Sequence, residues 1–142
     1  MCMIKTIINL LDMLKRMVGI IKKENDIMLS ILIPSLIERS SSFLKNLLNQ
    51  LESQIQDKPV EVLILTDNAK RPIGTKRNDM IKLAKGKYVT FIDDDDRVCP
   101  DYVHLLLEGI KTNPDCCSLV GEIRINHNRP KKFYHSLKYK AY

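Results

Sequence analysis

The sequence predicts an α/β domain with a mostly parallel sheet and flanking helices. From residue 27 onward, short apolar runs rich in β-branched residues alternate with segments whose apolar residues recur at helical spacing. This alternation of strands and helices favours right-handed crossovers and therefore parallel strands. The length of 142 residues and the apolar content of 44% are typical of one soluble globular domain.

Residues 1–26 are predicted to form an amphipathic helix that precedes this domain. Charged side chains interrupt its apolar run, which argues against a signal peptide and against a membrane span. We expect its apolar face to pack on the chain's own domain or on a neighbouring chain. The alternative is that residues 1–23 lie on an anionic membrane surface. The face consists of Ile4, Ile7, Ile8, Leu11, Leu14, Val18 and Ile21.

The α/β domain is predicted to span residues 27–126, and each of its elements has a local signal. The serines that begin the first helix are expected to cap it, and Gly86 is expected to end the second. Pro100 lies in the first turn of the third helix, where its missing N–H costs nothing. The predicted strands are 27–36, 60–68, 87–93 and 117–125, and the predicted helices are 40–55, 77–85 and 100–111.

The net charge of +6 comes from the end of the chain. All 17 acidic residues lie at or before Glu122, whereas six of the 23 basic residues follow it. Residues 127–142 therefore form a basic tail with interspersed aromatic residues on a neutral domain, and no nucleic-acid partner is expected. The four cysteines include no CxxC pair, and bridging vicinal Cys116 and Cys117 would require strain, so a reducing, cytoplasmic location is predicted.

Polar residues follow the first three predicted strands. They are Pro34 and Ser35, then Asp67, and then the run of four aspartates from Asp93 to Asp96. Ligands of open parallel sheets bind beyond the carboxyl ends of the strands, where these residues would meet. The sequence therefore predicts a binding site at this edge of the sheet.

The four consecutive aspartates predict a divalent cation. If the strand continues through residue 95, Asp93 and Asp95 point to one side and Asp94 to the other. Two carboxylates on one side suit Mg²⁺ or Mn²⁺, which commonly bind one or two carboxylates together with phosphate oxygens. The alternative is a solvated acidic turn before a helix, with Asp96 near the helix N-terminus.

Four basic residues follow the second strand, in the loop 69–76 and at the start of the next helix. They could contact a phosphate group or could be solvated loop charges, and the sequence leaves both alternatives open. The loop contains a single glycine, Gly74, which excludes a P-loop and a dinucleotide fingerprint. The four are Lys70, Arg71, Lys76 and Arg77.

Several segments together resemble the nucleotide-sugar half of a family-two glycosyltransferase with the GT-A fold. The segments are "LSILIPSLIERSSSFLKNLLNQL", "VEVLILTDN", "GTKRNDMIKLAKGKYVTFIDDDD" and "CPDYV", and the resemblance covers about residues 29 to 122. Its most specific part is the ordered block of Arg77-Asn78, Ala84-Lys85-Gly86 and the aspartate run.

The resemblance implies a role for each matching residue. Asp67 would contact the nucleotide base, Asp93 would be the first carboxylate of the DxD motif, near the ribose, and Asp95 would bind the metal. Asp93 is also expected to contribute to the metal site, and Asp94 to nucleotide-sugar binding. Pro34 and Ser35 would line the base pocket, with Arg77 close by.

The sequence thus predicts a glycosyltransferase of hexosyltransferase type, which binds a nucleotide-diphosphate sugar through Mn²⁺ or Mg²⁺ and transfers the sugar to a hydroxyl acceptor. UDP is the nucleotide to try first. The resemblance also implies that an acceptor half should begin near Tyr142, so that Glu122 and His135 are the only nearby candidates for a general base. The alternative is a non-catalytic nucleotide-sugar-binding remnant or truncated product; a nucleic-acid-binding module and a phosphotransferase fit less well.

Overall fold

The computed structural model of the chain describes residues 27–125 and 128–134. The helix predicted for residues 1–26 lies outside the described residues, as do His135 and the rest of the predicted tail after it. The chain divides into two compact units between Val103 and His104. Among the described residues, no helix is both long enough and apolar enough to cross a membrane.

The first unit is built on a three-stranded parallel sheet, as predicted. Strand β1 lies in the centre and pairs with both neighbours, in the order β2–β1–β3. Every residue of β1 except Leu36 is buried, which explains why its sequence is a nearly continuous apolar run rather than an alternating one. The strands are β1 (Leu29–Leu36), β2 (Val60–Asp67) and β3 (Tyr88–Phe91).

The segment after β1 becomes helical earlier than predicted. A 3₁₀ turn (Ile37–Arg39) and a π turn (Ser40–Leu44) lead directly into helix α1 (Lys45–Ile55). The predicted serine cap is wrong, because the serines already lie inside the π turn and no side chain caps any of the three segments. Helix α1 buries the predicted apolar face, which includes Leu47, Leu48, Leu51 and Ile55.

Helix α2 (Ile73–Leu83) begins four residues before the predicted start at Arg77. Pro72 precedes its first residue with φ of −57°, a value that proline favours and that suits entry into a helix. The early start places Lys76, which was predicted in the loop, within the helix together with Arg77. Their side chains are consequently carried on a regular element.

Gly86 lies where the chain passes close to β1 on its way into β3. Its φ is not positive, so it is not needed as a left-handed helix terminator. Instead, a Cβ atom at this position would lie 2.5 Å from the Ser30 backbone nitrogen and 2.6 Å from the Ser30 Oγ. The Gly86 amide donates a hydrogen bond of 2.8 Å to that same Oγ, so glycine is required by close packing.

The second unit contains most of helix α3 (Tyr102–Ile110) and a two-stranded antiparallel sheet. The sheet consists of β4 (Gly121–Ile123) and β5 (Lys131–Phe133). The prediction of a fourth strand over residues 117–125 in the parallel sheet is therefore wrong. Antiparallel neighbours need only a short connection, whereas a parallel partner needs a crossover, and a segment predicted as tail supplies the nearby partner.

Candidate functional site

A cleft with a volume of about 480 Å³ lies in the first unit, where polar side chains follow the strands of the parallel sheet. Known ligand pockets span roughly 300–1,000 Å³. All of the residues that the sequence predicted for nucleotide and metal binding line this cleft. The lining residues are Pro34, Ser35, Leu36, Arg39, Asp67, Ala69, Arg71, Ile73, Lys76, Arg77, Asp93, Asp94 and Asp95.

The aspartate run forms a turn rather than a continuation of the strand. Strand β3 ends at Phe91, and the Asp96 amide donates a hydrogen bond of 3.0 Å to the Asp93 carbonyl. The strand is therefore shorter than the predicted 87–93, and the condition that it continues through residue 95 is not met. The side chains of Asp93 and Asp95 are nonetheless exposed, by 52% and 46%, whereas that of Asp94 is buried.

Asp94 is held by groups at the end of β1. Its Oδ2 accepts hydrogen bonds of 2.7 Å from the Ser35 hydroxyl and 3.3 Å from the Leu36 amide. Its Oδ1 accepts a hydrogen bond of 3.0 Å from Arg39 Nη1. A buried carboxylate is stable only when it is paired and hydrogen-bonded, and these three donors meet that requirement. Asp94 therefore joins the aspartate turn to β1.

Arg39 is a cleft residue that the sequence reasoning missed. Its Nη1 lies 3.0 Å from Asp94 Oδ1 and 3.0 Å from Asp95 Oδ2, so one nitrogen bridges the two carboxylates. The hydrogen bond to Asp94 and the charge of Asp95 raise the pKa of Arg39 above its usual value. A basic residue shortly after the end of a strand at the binding edge was the signal that could have identified it.

Asp67 and Lys76 form an ion pair at the end of β2. Lys76 is buried, and its Nζ lies 2.7 Å from Asp67 Oδ1 and donates a hydrogen bond of 2.8 Å to the Ser35 carbonyl. The Lys76 ammonium lowers the pKa of Asp67, because it hydrogen-bonds the ionised carboxylate. Of the two alternatives left open for Lys76, the solvated loop charge is wrong.

Arg71 and Arg77 are the other two basic residues that line the cleft. Arg77 Nη2 lies 2.7 Å from Asp93 Oδ1, and its guanidinium lies over the Phe91 ring at 5.3 Å from the centroid. Arg71 contacts Asp79 at 3.0 Å and Asp67 at 3.6 Å. Each of the four lining carboxylates therefore lies beside a lysine or arginine side chain.

Two buried side-chain atoms in the described part of the chain have no hydrogen-bond partner, and both belong to residues that line this cleft. One is an acceptor, Asp67 Oδ2, and the other is a donor, Arg77 Nε. Buried polar atoms are nearly always hydrogen-bonded in native proteins, so exceptions require an explanation. A polar ligand in the cleft would provide one for both atoms.

The carboxylates of the aspartate turn are candidate ligands for a cation. Within residues 27–125 and 128–134, no group of three or more His, Cys, Asp or Glu side chains is arranged to hold a metal ion. Mg²⁺ commonly needs fewer, because it keeps several waters and takes only one or two carboxylates besides phosphate oxygens. Asp94 Oδ1 and Asp95 Oδ2 already converge on one cationic nitrogen, so this donor set fits such an ion.

Of the two candidates for a general base, the structure describes only Glu122, which is not among the residues that line the cleft. Glu122 is exposed on β4 in the second unit, and His135 falls outside the described residues. The roles predicted for both side chains therefore remain predictions.

The comparisons with known proteins point to one family. The family model described as glycosyl transferase family 2 matches residues 70–141. No curated protein and no solved structure matches the chain. The matched region contains helix α2 with Lys76 and Arg77, strand β3 and the aspartate turn. Because the match covers just over half of the 142 residues, the chain belongs to glycosyl transferase family 2.

Proposed function

We propose that the cleft binds a nucleotide-diphosphate sugar together with Mg²⁺ or Mn²⁺, and that the chain takes part in transfer of the sugar to a hydroxyl acceptor. The observation that carries this proposal is that two buried atoms in one cleft, Asp67 Oδ2 and Arg77 Nε, have no hydrogen-bond partner. Arg71 Nε lies 3.6 Å from Asp67 Oδ2, which is an ion pair but too long for a hydrogen bond. A hydrogen-bond acceptor and a hydrogen-bond donor in one cleft suit a ligand that can both donate and accept hydrogen bonds. Nucleotides have this property, and family membership supports a sugar nucleotide.

The nucleotide base is assigned to the part of the cleft between β1 and β2. Asp67 Oδ2 would accept a hydrogen bond from an N–H group of the base, while Oδ1 stays with Lys76. Pro34 and Ser35 line the same cleft and would form a wall of the base pocket. The lowered pKa of Asp67 keeps its carboxylate ionised and therefore available as an acceptor.

The ribose and diphosphate are assigned to the aspartate turn and the start of α2. Asp93 would contact the ribose, and Arg77, which holds Asp93 at 2.7 Å, has its Nε free to donate to the ligand. Asp95 would be the principal metal ligand, with Asp93 or Asp94 as the second carboxylate. Asp94 would also act on the donor through its contacts with Ser35 and Arg39.

The metal would supply positive charge to the departing nucleoside diphosphate when the sugar–phosphate bond breaks. The chain's own basic residues, which line the same cleft, would support the same charge. Arg77 is carried on a helix and packs over Phe91, so its orientation is set before the ligand arrives.

Isothermal titration calorimetry of the full chain with UDP, and separately with GDP, tests this proposal. We expect binding in the presence of Mn²⁺ and a loss of at least about tenfold in affinity in EDTA, because the metal bridges carboxylate and diphosphate. Glu52→Gln, which removes a carboxylate from the exposed side of α1, serves as the control and should bind like the wild type. Equal affinity with Mn²⁺ and with EDTA would rule out the metal bridge.

A further inference from the structure

One guanidinium nitrogen stands between two carboxylates of the aspartate turn. Arg39 Nη1 lies 3.0 Å from an oxygen of Asp94 and 3.0 Å from an oxygen of Asp95. Asp94 is almost fully buried, whereas the side chain of Arg39 is 40% exposed. The contact therefore joins a fixed carboxylate and an exposed one through a side chain that has room to move.

The bridge has an electrostatic reason. Neighbouring carboxylates repel each other, and the repulsion is strongest where one of them is buried. Arg39 places a positive charge between Asp94 and Asp95, while Asp93 is neutralised separately by Arg77. In the ligand-free chain Arg39 thus has the role that a bound cation would have at these two side chains.

A divalent cation would compete for the same oxygen atoms. Mg²⁺ and Mn²⁺ bind carboxylate oxygens at about 2.0–2.2 Å, closer than the guanidinium approaches them. An ion held by Asp94 Oδ1 and Asp95 Oδ2 would lie within a few ångströms of Arg39 Nη1, and two positive charges at that separation repel each other strongly. The guanidinium and the metal ion therefore cannot both keep this position.

We propose that Arg39 occupies the cation position at Asp94 and Asp95 in the metal-free chain, and that a divalent cation displaces it on binding. This inference rests on the proposed metal-dependent function and adds a competitor to it. Arg39 holds the carboxylates in place when no metal is bound and lowers the apparent affinity of the free ion. After displacement its guanidinium remains attached at the rim of the cleft.

The first test measures Mn²⁺ binding to the full chain without nucleotide, by electron paramagnetic resonance of the free ion. Arg39→Gln should bind Mn²⁺ about two- to fivefold more tightly than the wild type, since releasing a partly exposed ion pair changes affinity by up to about fivefold. Arg71→Gln is the matched control, because it removes the same charge from the same cleft but contacts Asp67 and Asp79 instead.

The outcomes separate the alternatives. Tighter binding in Arg39→Gln with little change in Arg71→Gln supports displacement. An equal increase of Mn²⁺ affinity in both variants would mean that only the net charge of the cleft matters. Weaker Mn²⁺ binding in Arg39→Gln would mean that Arg39 assists metal binding. Either result overturns the inference. If Mn²⁺ binding is the same in Arg39→Gln and in the wild type, the displacement of Arg39 is ruled out but the proposed metal bridge is not. If neither the wild type nor either variant binds Mn²⁺, both are ruled out.

A second measurement uses the unmodified chain and so does not depend on the folding of a variant. In a nitrogen-15 spectrum of the arginine side chains, added Mg²⁺ should shift the Arg39 Nε–H signal, while the Arg71 signal should stay close to its original position. A spectrum in which Mg²⁺ leaves the Arg39 signal in place, at concentrations that saturate the cleft, would overturn the inference.

Discussion

Asp94 and Asp95 are neighbours of the same residue type with different surroundings. Asp94 accepts three hydrogen bonds, from Ser35, Leu36 and Arg39, and its side chain is 3% exposed. Asp95 accepts one, from Arg39, and its side chain is 46% exposed. Asp94 is therefore fixed to the end of β1 through its Oδ2, whereas Asp95 is held through Arg39 and is more readily available to a ligand.

This difference predicts that the same substitution changes the stability of the chain at one position and leaves it nearly unchanged at the other. Asp94→Asn should lower the free energy of unfolding by about 1–3 kcal/mol, because a charged acceptor of three hydrogen bonds becomes a neutral amide with one acceptor atom. Asp95→Asn should leave the free energy of unfolding within about 0.5 kcal/mol of the wild type, as is usual for exposed sites. Urea denaturation of both variants measures these changes.

Calorimetry with nucleotide and Mn²⁺ completes the comparison. Asp95→Asn should weaken the metal-dependent affinity even though the chain remains as stable as the wild type. If both substitutions reduced stability and affinity to the same extent, the aspartate turn would act only as a diffuse negative charge.

At the level of single residues, the sequence predicted that Asp94 would differ from Asp93 and Asp95, although for a reason that proved wrong. The prediction used the alternation of a strand, whereas the difference arises in a turn, where donors from the end of β1 surround Asp94. The contact of Arg39 with this turn spans 55 residues of sequence. No local pattern can reveal a pairing between charges so far apart in the chain.

Among the elements, the connection from α2 to β3 depends on one glycine. Gly86 packs so closely on β1 that a Cβ atom would lie 2.5 Å from a backbone nitrogen and 2.8 Å from a backbone carbon. Backbone atoms of a central strand cannot move aside as a flexible side chain can. The position of β3, and with it the start of the aspartate turn, therefore depends on this contact.

Gly86→Ala should lower the free energy of unfolding by about 1–3 kcal/mol, the usual range for an overpacked site. The matched control is Gly74→Ala in the first turn of α2, where an added Cβ would meet nothing within 4 Å. Alanine favours helices over glycine by up to about 1 kcal/mol, so this variant should be as stable as the wild type or more stable. Thermal unfolding of the two variants distinguishes these effects, and equal destabilisation would contradict the packing argument.

The sequence predicted elements best where an apolar run or a helical period extends over many residues. Strands β1 and β2 and the apolar face of α1 are of this kind. The start of α2 was missed because Pro72, Ile73 and Gly74 have the composition of a loop. The short strand β4 has few residues from which to infer a partner, and its pairing depends on a segment that follows it.

At the scale of the whole molecule, the cleft belongs to the first unit and Glu122 to the second. Among the described residues that line the cleft, every carboxylate lies beside a lysine or arginine, and the pKa of Asp67 is lowered. A paired carboxylate with a lowered pKa is a weak proton acceptor. The described cleft is therefore better suited to holding a donor than to activating an acceptor hydroxyl.

We accordingly expect the 142-residue chain to release nucleoside diphosphate slowly, and with little dependence on the acceptor. A positioned general base contributes roughly 10²–10⁴-fold to the rate, and the carboxylates of the described cleft, all of them paired with basic residues, are poorly suited to supply it. The measurement is nucleoside diphosphate release with UDP-sugars and GDP-sugars over a broad panel of hydroxyl acceptors. Rapid acceptor-dependent turnover would contradict this expectation.

If such turnover were found, Glu122→Gln should abolish it without changing donor affinity, which would identify the predicted base. His135→Asn tests the other residue that the sequence proposed.

The parallel sheet of the first unit could be predicted because strands and helices alternate repeatedly along the chain. The second unit was predicted only in part: the helix expected over residues 100–111 is found as α3 (Tyr102–Ile110), whereas the short antiparallel pair has no strong periodic signal. The polar residues at the strand ends were informative for a topological reason. Parallel strands bring their carboxyl ends together, so separate loops become one surface.

The ionisable side chains that line the cleft are evenly divided between the two signs. The four basic side chains balance the four carboxylates, so the charges that line the cleft sum to zero; the basic residues are Arg39, Arg71, Lys76 and Arg77, and the acidic residues are Asp67, Asp93, Asp94 and Asp95. A loose phosphate or a free cation would upset that balance, whereas a diphosphate already chelated by a divalent cation would preserve it. The cleft should therefore bind the chelate of a divalent cation and a diphosphate more tightly than it binds either ion by itself.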